Sequence, residues 1–326
     1  MEKQSFLDRY NFTAEDFQQA DLDWALLDRI YEHHRTAVSE LQTTATYISE
    51  RLQLVPAVHS IKVRVKDAEH LVAKIIRKRI ERPDLIVDLA SYDEHITDRI
   101  GIRALHLFKD EWKPIHEFVT NTWDLQETPI AYFRAGDEEA VLRSFTDAGF
   151  NVQQHKLGYR SIHYLIRLQP TKCKQYAELQ VRTIFEEGWS EIDHRVRYPR
   201  QSDNPYLSGI LNIFNRLAGS ADEVGTFVKA LSQYTHEQAK SALAKETEIR
   251  GKEDELRKAV SLLEISQEEK TNLQRQIAEL RSSSYPAIGT VVITSSDSPF
   301  QTSMGGSVRM GQIANLLSLG PFPPSP

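Results

Sequence analysis

The most unusual composition of the chain lies between Lys62 and Arg82, where eight basic residues stand against three acidic ones. Arg64 and Lys66 are two residues apart in a segment that we expect to be extended, so they share one face, and Lys74 follows one turn into a helix. Such a cluster could hold a polyphosphate through planar guanidinium and point-charge ammonium groups. A solvated helix face without a ligand is the alternative.

Two carboxylates, Asp98 and Glu178, accompany predicted strands. Asp98 precedes an apolar run that begins at Ile100, and an acid in this place could also simply cap a turn. Glu178, Gln180 and Arg182 occupy alternate positions, so their side chains share one strand face. A polar stripe of this kind could bind magnesium and phosphates, and solvent exposure would explain it equally well.

A third group begins at Gly158, where a turn glycine precedes the ring of Tyr159 and polar residues that alternate as far as His163. A ring beside a glycine turn suits stacking on a flat base, because the missing side chain lets a ligand approach the backbone. A core tyrosine is the alternative. His194, on a predicted helix, could contact a phosphate or be an uninvolved surface histidine.

Hydrophobic periodicity predicts the elements that position these residues. Residues 1–60 show two amphipathic helices, around 22–30 and 41–52, with Pro56 ending the second. A further helix is predicted over 68–82, where Pro83 stops it. The following segments are β-rich runs at 100–108, 161–168 and 176–181, with helical patterns at 112–121, 138–148 and 208–238. Strands mixed with helices indicate an α/β or α+β core built on one sheet.

The C-terminal third changes character. Apolar residues recur every seventh position from Ile249 to Ile277, which predicts a coiled coil, although Ser266 and Lys270 weaken the seam. A single solvated helix packed on its own domain is the alternative. Beyond Arg281 the chain turns to Ser, Gly, Thr and Pro without periodicity, which predicts a disordered tail.

The overall composition excludes several classes of protein. A chain of 326 residues with 40% hydrophobic and 26% charged residues is neither a small stapled scaffold nor a fibrous or wholly disordered protein. The net charge of −6 argues against a protein coated in nucleic acid. The single Cys173 cannot form an internal disulfide, which fits a reducing compartment. With neither a signal peptide nor an apolar run of membrane-spanning length, we expect a cytoplasmic protein without a membrane partner.

The order of these motifs resembles the synthetase domain of the RelA/SpoT family. The resemblance covers about residues 55–200 and does not reach the heptad segment or the tail. The motifs that carry it are Arg64-x-Lys66 with Lys74, Asp98-x-x-Gly101-x-Arg103, Gly158-Tyr159-x-Ser161-x-His163, Glu178-x-Gln180-x-Arg182-Thr183 and Trp189-x-Glu191-x-Asp193-His194.

The resemblance implies an α+β fold, with a nucleotidyltransferase-like mixed β-sheet flanked by helices and a C-terminal helical or coiled-coil segment. We accordingly divide the chain into N-terminal helices that pack on the core (1–60), the synthetase core (61–205), C-terminal helices (206–240), a coiled coil (241–281) and the tail (282–326).

The resemblance also implies an activity, the transfer of the β,γ-pyrophosphate of ATP to the 3′-hydroxyl of GDP or GTP. The products would be the alarmones ppGpp and pppGpp, with AMP released. Asp98 and Glu178 would be the catalytic pair that binds Mg²⁺, and Glu178 would also be the base for the hydroxyl. A carboxylate within hydrogen-bond reach can take such a proton.

The remaining motif residues divide by analogy into a donor side and an acceptor side. For ATP, Arg64 and Arg103 would sandwich the adenine while Lys66 and Lys74 hold the phosphates. For the acceptor nucleotide, Tyr159 would stack on guanine, and the lining would comprise His163, Gln180, Arg182 and Lys156.

Two departures from the family pattern leave the acceptor open between GDP, GTP and another nucleotide. His70 occupies a place where a Ser is common, which alters one phosphate contact. The segment 151–157 lacks the usual Lys-x-Asn lead-in and keeps only Lys156.

The segments outside the motifs and the basic stretch bear on the domain organisation and on alternative functions. About 60 residues precede the first motif and no His-Asp dipeptide occurs, so we expect a stand-alone synthetase without alarmone hydrolysis. The basic residues between Arg77 and Arg82 favour, as an alternative acceptor, the 3′ end of tRNA. A catalytically silent nucleotide or RNA binder that acts through its coiled coil is a second alternative. We also expect self-association through residues 249–280.

Overall fold

The computed structural model describes residues 1–197, 204–263 and 266–284, so most of the predicted tail lies outside the described residues. Strands of this part of the chain form one seven-stranded sheet. The strands are β1 (Ser60–Val65), β2 (Ile100–His106), β3 (Asp124–Leu125), β4 (Ile130–Phe133), β5 (Asn151–Gln154), β6 (Ser161–Leu168) and β7 (Gln175–Thr183).

Helices occupy most of the remaining described chain. Among the described residues there are ten, and they are α1 (Lys3–Tyr10), α2 (Ala14–Ala20), α3 (Trp24–Gln53), α4 (Ala68–Glu81), α5 (Tyr92–His95), α6 (Trp112–Thr122), α7 (Glu139–Asp147), α8 (Ile184–Arg197), α9 (Pro205–Leu262) and α10 (Gln267–Ser284).

The sheet is mixed, with the strand order β1-β2-β7-β6-β4-β5 and β3 paired to β6. Strands β2 and β7 are parallel neighbours, in a register that places Gly101 opposite Glu178 and Arg103 opposite Gln180. The other pairs are antiparallel, except the parallel pair β4 and β5. The predicted mixed sheet flanked by helices is confirmed, and its centre carries the polar stripe of β7.

The N-terminal region differs from the sequence prediction, because the two amphipathic helices predicted around 22–30 and 41–52 are one helix, α3. Between the two apolar stripes lies His34, which is completely buried and whose Nε2 donates to the carbonyl oxygen of Lys66 at 2.7 Å. Burial lowers the pKa of His34. A buried histidine with a hydrogen bond from its Nε2 therefore continues the inner face where the apolar pattern breaks.

Helix α4 joins the basic stretch to the core. Its N-cap Asp67 accepts a hydrogen bond from the backbone nitrogen of His70, as short polar side chains do at helix starts. Leu71, Ile75 and Ile76 are buried against the N-terminal helices. Full burial of such side chains stabilises a fold by about 1.5–3 kcal/mol each. Packing therefore holds α4 in place and fixes the backbone position of Lys74.

The sequence located the long strands and missed the short ones. Strand β6 has the predicted bounds, β2 ends two residues early and β7 is longer at both ends. Strands β3, β4 and β5 were not predicted, since runs of two to four residues are too short to show alternation.

The C-terminal heptad segment lies on two helices rather than on one continuous coil. Helix α9 ends at Leu262 and α10 begins at Gln267. The seam residue Ser266 forms a capping box with Glu269, since its Oγ accepts from the Glu269 nitrogen while the Glu269 carboxylate accepts from the Ser266 nitrogen. A serine that weakened the heptad pattern therefore starts a new helix.

The chain divides into two compact units, Met1–Lys240 and Ser241–Pro326. Among the described residues, none of the helices combines the length and the apolar character that crossing a bilayer requires.

In the first unit, the start of α9 contacts the core through polar groups. Trp189 Nε1 donates to the Leu211 carbonyl at 3.0 Å, and Asn215 Nδ2 donates to the Gly158 carbonyl at 3.1 Å. At Gly219 a Cβ atom would lie 2.6 Å from a guanidinium nitrogen of Arg160, so this glycine permits a close approach. The helix is therefore fitted to the core by specific contacts rather than by an apolar face.

Replacement of Asp222 by Asn is expected to remove a pH dependence of stability. This buried side chain accepts a hydrogen bond from Thr183 Oγ1 at 3.0 Å, and burial, with the nearby charge of Glu186, raises its pKa from 3.8 to about 7. A raised carboxyl pKa contributes stability below pH 3.8 that is lost as the pH rises through about 7. The free energy of unfolding should fall by roughly 2–4 kcal/mol across this range.

Urea unfolding at pH 4 and pH 8 would measure this change in the wild type and in Asp222→Asn. The matched control is Asp110→Asn, which removes a surface carboxylate that pairs with Lys229 and should leave the pH dependence intact. An Asp222→Asn protein with the full wild-type dependence would contradict the assignment.

Candidate active site

Asp98 is the meeting point of the predicted phosphate-binding lysines. Its Oδ2 accepts from Lys74 Nζ at 2.6 Å and lies 3.1 Å from Lys66 Nζ. Lys66 is only 8% exposed, and burial lowers its pKa, against the opposing charge of Asp98. Lys66 directly follows β1, Lys74 lies on α4 and Asp98 lies in the turn before β2. Three separate parts of the chain therefore meet at the Asp98 carboxylate.

The charge of Asp98 is strongly favoured in this place. Burial would raise the pKa of its carboxyl group, but the charges and hydrogen bonds of Lys66 and Lys74 outweigh burial and hold the pKa below its ordinary value. The second oxygen, Oδ1, is buried and has no hydrogen-bond partner. Such a buried lone pair is costly unless a donor or a cation satisfies it.

Glu178 lies on β7 beside two of the predicted acceptor-side residues. Its Oε1 is 3.3 Å from His163 Nδ1 and accepts from Gln180 Nε2 at 3.3 Å. Burial would raise the pKa of Glu178, but His163 and Gln180 outweigh burial and lower it, while the charge of Asp98 acts in the raising direction. Strand pairing places Glu178 opposite Gly101 of β2, three residues after Asp98.

The hydroxyl of Tyr159 contacts both His163 and Arg182, the last residue of the polar stripe on β7. Its hydroxyl is 3.1 Å from His163 Nε2, and it accepts from Arg182 Nη1 at 3.0 Å. The Arg182 guanidinium carbon lies 5.3 Å from the centre of the Tyr159 ring, and burial raises the pKa of the tyrosine. The ring is therefore held at its hydroxyl by two side chains and over its face by the Arg182 guanidinium.

Glu187, at the start of α8, was not among the predicted site residues, yet it binds three cations of the site. Its carboxylate oxygens lie 2.8 Å from Lys62 Nζ, 3.2 Å from Arg103 Nη1 and 2.5 Å from Arg182 Nη2. Burial would raise its pKa, but these cations outweigh it and lower the pKa. Arg103 also pairs with Glu191, one turn further along α8.

The spacing of Glu187 and Glu191 was the available signal. Acids four residues apart share a helix face, and this helix follows β7 directly, so their carboxylates could have been placed beside the cations of the sheet. Glu191 was instead interpreted only as part of a helical motif, and Glu187 was not singled out.

The remaining predicted residues are more exposed. Arg64 lies exposed on β1 opposite Gly101, and its charge contributes to the lowered pKa of Lys66. Lys156 is exposed in the turn before Gly158. Gly158 itself has a φ of +74°, a conformation that glycine adopts at little cost.

A pocket of about 390 Å³ opens beside this cluster. Five of the candidate residues line it: Arg103, Tyr159, Gln180, Arg182 and His194. The lining does not include Asp98, Lys66 or Lys74. The structure thus separates the predicted residues into a lysine and carboxylate cluster and an aromatic and guanidinium pocket, with Glu178 and Gln180 next to each other on β7.

The donor set suits a divalent ion that is shared with a substrate. Among the described residues, no group of three or more His, Cys, Asp or Glu side chains could form an all-protein metal site. Mg²⁺, however, is commonly bound by one or two carboxylates together with substrate phosphates. The unsatisfied Oδ1 of Asp98 and the neighbouring carboxylate of Glu178 fit that pattern.

Glu178 on a mixed sheet, together with an Asp98 carboxylate that two lysines hold just before the adjacent strand, is an arrangement suited to polyphosphate chemistry. Residues 63–203 match the family model described as the region found in RelA/SpoT proteins. This part of the chain therefore matches the RelA/SpoT region, as the order of its motifs predicted.

The chain is also similar to several known proteins. The chain is 26% identical over 181 residues to "GTP pyrophosphokinase YwaC" of Bacillus subtilis (strain 168), covering 53% of this chain and 75% of the relative. Among solved structures, similar ones are a GTP pyrophosphokinase family protein from Streptococcus pneumoniae (19% identity, TM-score 0.49, 62% of this chain and 96% of that one) and the small alarmone synthetase 1 from Bacillus subtilis (18% identity, TM-score 0.46, 62% and 99%).

Proposed function

We propose that the protein is a Mg²⁺-dependent pyrophosphokinase that transfers the β,γ-pyrophosphate of ATP to the 3′-hydroxyl of GDP or GTP. The RelA/SpoT region and a relative named as a GTP pyrophosphokinase support this class of activity. The observation that carries the proposal is the convergence of Lys66 and Lys74 on Asp98, just before the strand that pairs with the strand of Glu178. The products would be ppGpp or pppGpp and AMP.

The donor side needs fixed positive charge. Lys66 and Lys74 are already aimed at one point by Asp98, so little reorganisation is needed before they receive the phosphates of ATP. Arg64 and Arg103 would lie against the adenine, and Glu187 and Glu191 would hold the Arg103 guanidinium in place for that contact. Asp98 and Glu178 would hold Mg²⁺, which when bound would neutralise charge on the transferring phosphates.

The acceptor side needs a flat surface and a base. Tyr159 would stack on the guanine, with Arg182, Gln180 and Lys156 towards its phosphates and sugar. The lowered pKa of Glu178 keeps it ionised at neutral pH, so it can accept the proton of the 3′-hydroxyl. His163, which contacts both Glu178 and Tyr159, would orient the base towards the acceptor sugar.

The proposed transfer takes place in one step, in which one bond to phosphorus forms as another breaks. The 3′-oxygen forms a bond to the β-phosphorus of ATP as the bond from that phosphorus to the α,β-bridging oxygen breaks. The hydroxyl proton passes to Glu178, and AMP leaves with the bridging oxygen. Most of the acceleration would come from positioning and from the fixed cations rather than from covalent chemistry by the protein.

We favour a mononucleotide over the 3′ end of tRNA as acceptor. Of the basic residues that motivated tRNA, Lys78 donates to the His95 carbonyl at 2.6 Å and Arg79 donates to the carbonyls of Ala20 and Pro83. Groups that satisfy buried or partly buried carbonyls are less available to a nucleic-acid backbone.

The test incubates the purified full chain with ATP and Mg²⁺, offering GDP, GTP or bulk tRNA in separate reactions. Mass spectrometry should detect AMP together with a guanosine nucleotide that carries a 3′-pyrophosphate, and a chelator should stop the reaction. Modified tRNA alone would favour the alternative acceptor. Nucleotide binding without AMP release under every condition would overturn the proposal in favour of a silent binder.

A further inference from the structure

The part of α9 within the first unit has two opposite faces of unusual character. The face that contacts the core contains Leu211, Asn215, Ala218 and Asp222, all buried, and half of them are polar. The side chains that would form a core stripe in an ordinary amphipathic helix point the other way, into solvent.

The outer face is an apolar heptad seam. Its positions alternate by four and three residues, and each of its apolar side chains is between 42% and 85% exposed. Only Ser220 interrupts it. The seam residues are Tyr206, Ile210, Ile213, Leu217, Val224, Phe227, Leu231 and Tyr234.

This seam spans 28 residues, or about 42 Å of helix. Soluble monomers rarely expose a contiguous apolar surface of that size. Alternating spacings of four and three are the pattern with which one helix packs against another in a coiled coil. The heptad spacing therefore indicates a helix as the occupant of this face.

We propose that a second copy of this chain covers the seam, with the two α9 helices antiparallel about a two-fold axis near Ala218 and Gly219. In that register Ile210 faces the partner's Phe227, and Ile213 faces the partner's Val224. The next layer joins Leu217 to the partner's Ser220. Each layer contains a large apolar side chain, and none contains a charge.

The charges that flank the seam fit the same register. Arg216 directly precedes the seam residue Leu217, and Glu223 directly precedes Val224. In an antiparallel pair, residues at these positions meet across the interface. Arg216 would lie beside the partner's Glu223, and the two-fold axis would repeat the contact. A parallel pair would instead place Ser220 on Ser220 and set Arg216 opposite Ala221, so the charges favour the antiparallel arrangement.

Arg216 and Glu223 are exposed enough to form this ion pair with a partner chain. Arg216 is exposed, and Glu223 makes only a surface contact with Lys109 at 3.3 Å with half of its side chain exposed. The buried core contacts of α9 lie on the opposite side of the helix, so a partner on the seam would compete only for Glu223, which contacts Lys109.

Light scattering and sedimentation of the full chain would test this interface. The wild type should have twice the mass of the monomer at micromolar concentration. Leu217→Lys should raise the dissociation constant by at least about 100-fold without loss of helicity, since the side chain is exposed. The matched control is Leu256→Lys, which alters a similarly exposed leucine outside the seam and should leave the mass unchanged.

A charge exchange tests the orientation. Arg216→Glu alone and Glu223→Arg alone should each weaken the dimer by about tenfold, and the two changes together should restore it. A monomeric wild type would overturn the proposal and assign the seam to another partner. An assembly that survives Leu217→Lys but is lost in Leu256→Lys would overturn it in favour of the heptad segment, and absence of rescue would reject the antiparallel register.

Discussion

Glu178→Gln should lower the turnover of pyrophosphate transfer by at least roughly 1000-fold. The amide cannot accept the hydroxyl proton, and it removes one of the two charges available to Mg²⁺. Both carboxylate contacts, to His163 and Gln180, can be replaced by those of an amide, so the free energy of unfolding should change little. Initial rates of AMP formation and urea unfolding would measure the two effects.

Glu139→Gln is the matched control, because it makes the same chemical change on the surface of α7, where the side chain pairs only with Arg143. It should retain wild-type rates. Wild-type turnover in Glu178→Gln would contradict the assigned base. Loss of ATP affinity without loss of turnover would move Glu178 from the chemistry to substrate binding.

Asp98→Asn should abolish transfer and also destabilise the fold, by about 3 kcal/mol. Its carboxylate is the shared counter-ion of Lys66 and Lys74, and Lys66 is buried, so the variant leaves a buried cation without its partner. Because the pKa of Asp98 is lowered, its contribution to stability is present above its ordinary pKa and is lost as the pH falls through the folded value. The variant should therefore lose most stability near neutral pH.

The double variant Asp98→Asn with Lys66→Met separates the two effects, because it removes both partners of the buried pair. It should regain most of the stability and none of the activity. A surface comparison is Asp124→Asn, which breaks an exposed pair with Arg167 and should cost less than about 1 kcal/mol. Stability in Asp98→Asn equal to that of the wild type would contradict the proposed ion pairing.

Local spacing was enough to predict part of this site. Residues two apart share a strand face, so Glu178 and Gln180 were correctly placed together, and the apolar stripe of α4 located Lys74. The convergence of Asp98 with Lys66 and the proximity to Glu178 depend on β1 and β7 both pairing with β2. Such pairing between distant segments has no local signal, and only the resemblance to a known family implied it.

Other features could not be read from apolar periodicity because polar groups occupy core positions. His34 conceals the continuity of α3, and the inner face of α9 uses Asn215 and Asp222 where an apolar stripe would be expected. Glu187 was missed for a related reason, since its role depends on three cations from three separate elements. Patterns of hydrophobicity do not register positions that hydrogen bonds and ion pairs satisfy.

The contact between Asn215 and the Gly158 carbonyl also shows how much of the chain is needed to hold the candidate site. The family match ends at residue 203, but the turn that presents Tyr159 is anchored by a side chain twelve residues later, and Thr183 is anchored by Asp222. Truncation at the family boundary would release both anchors. The part of the chain that holds the candidate site therefore reaches at least to Asp222.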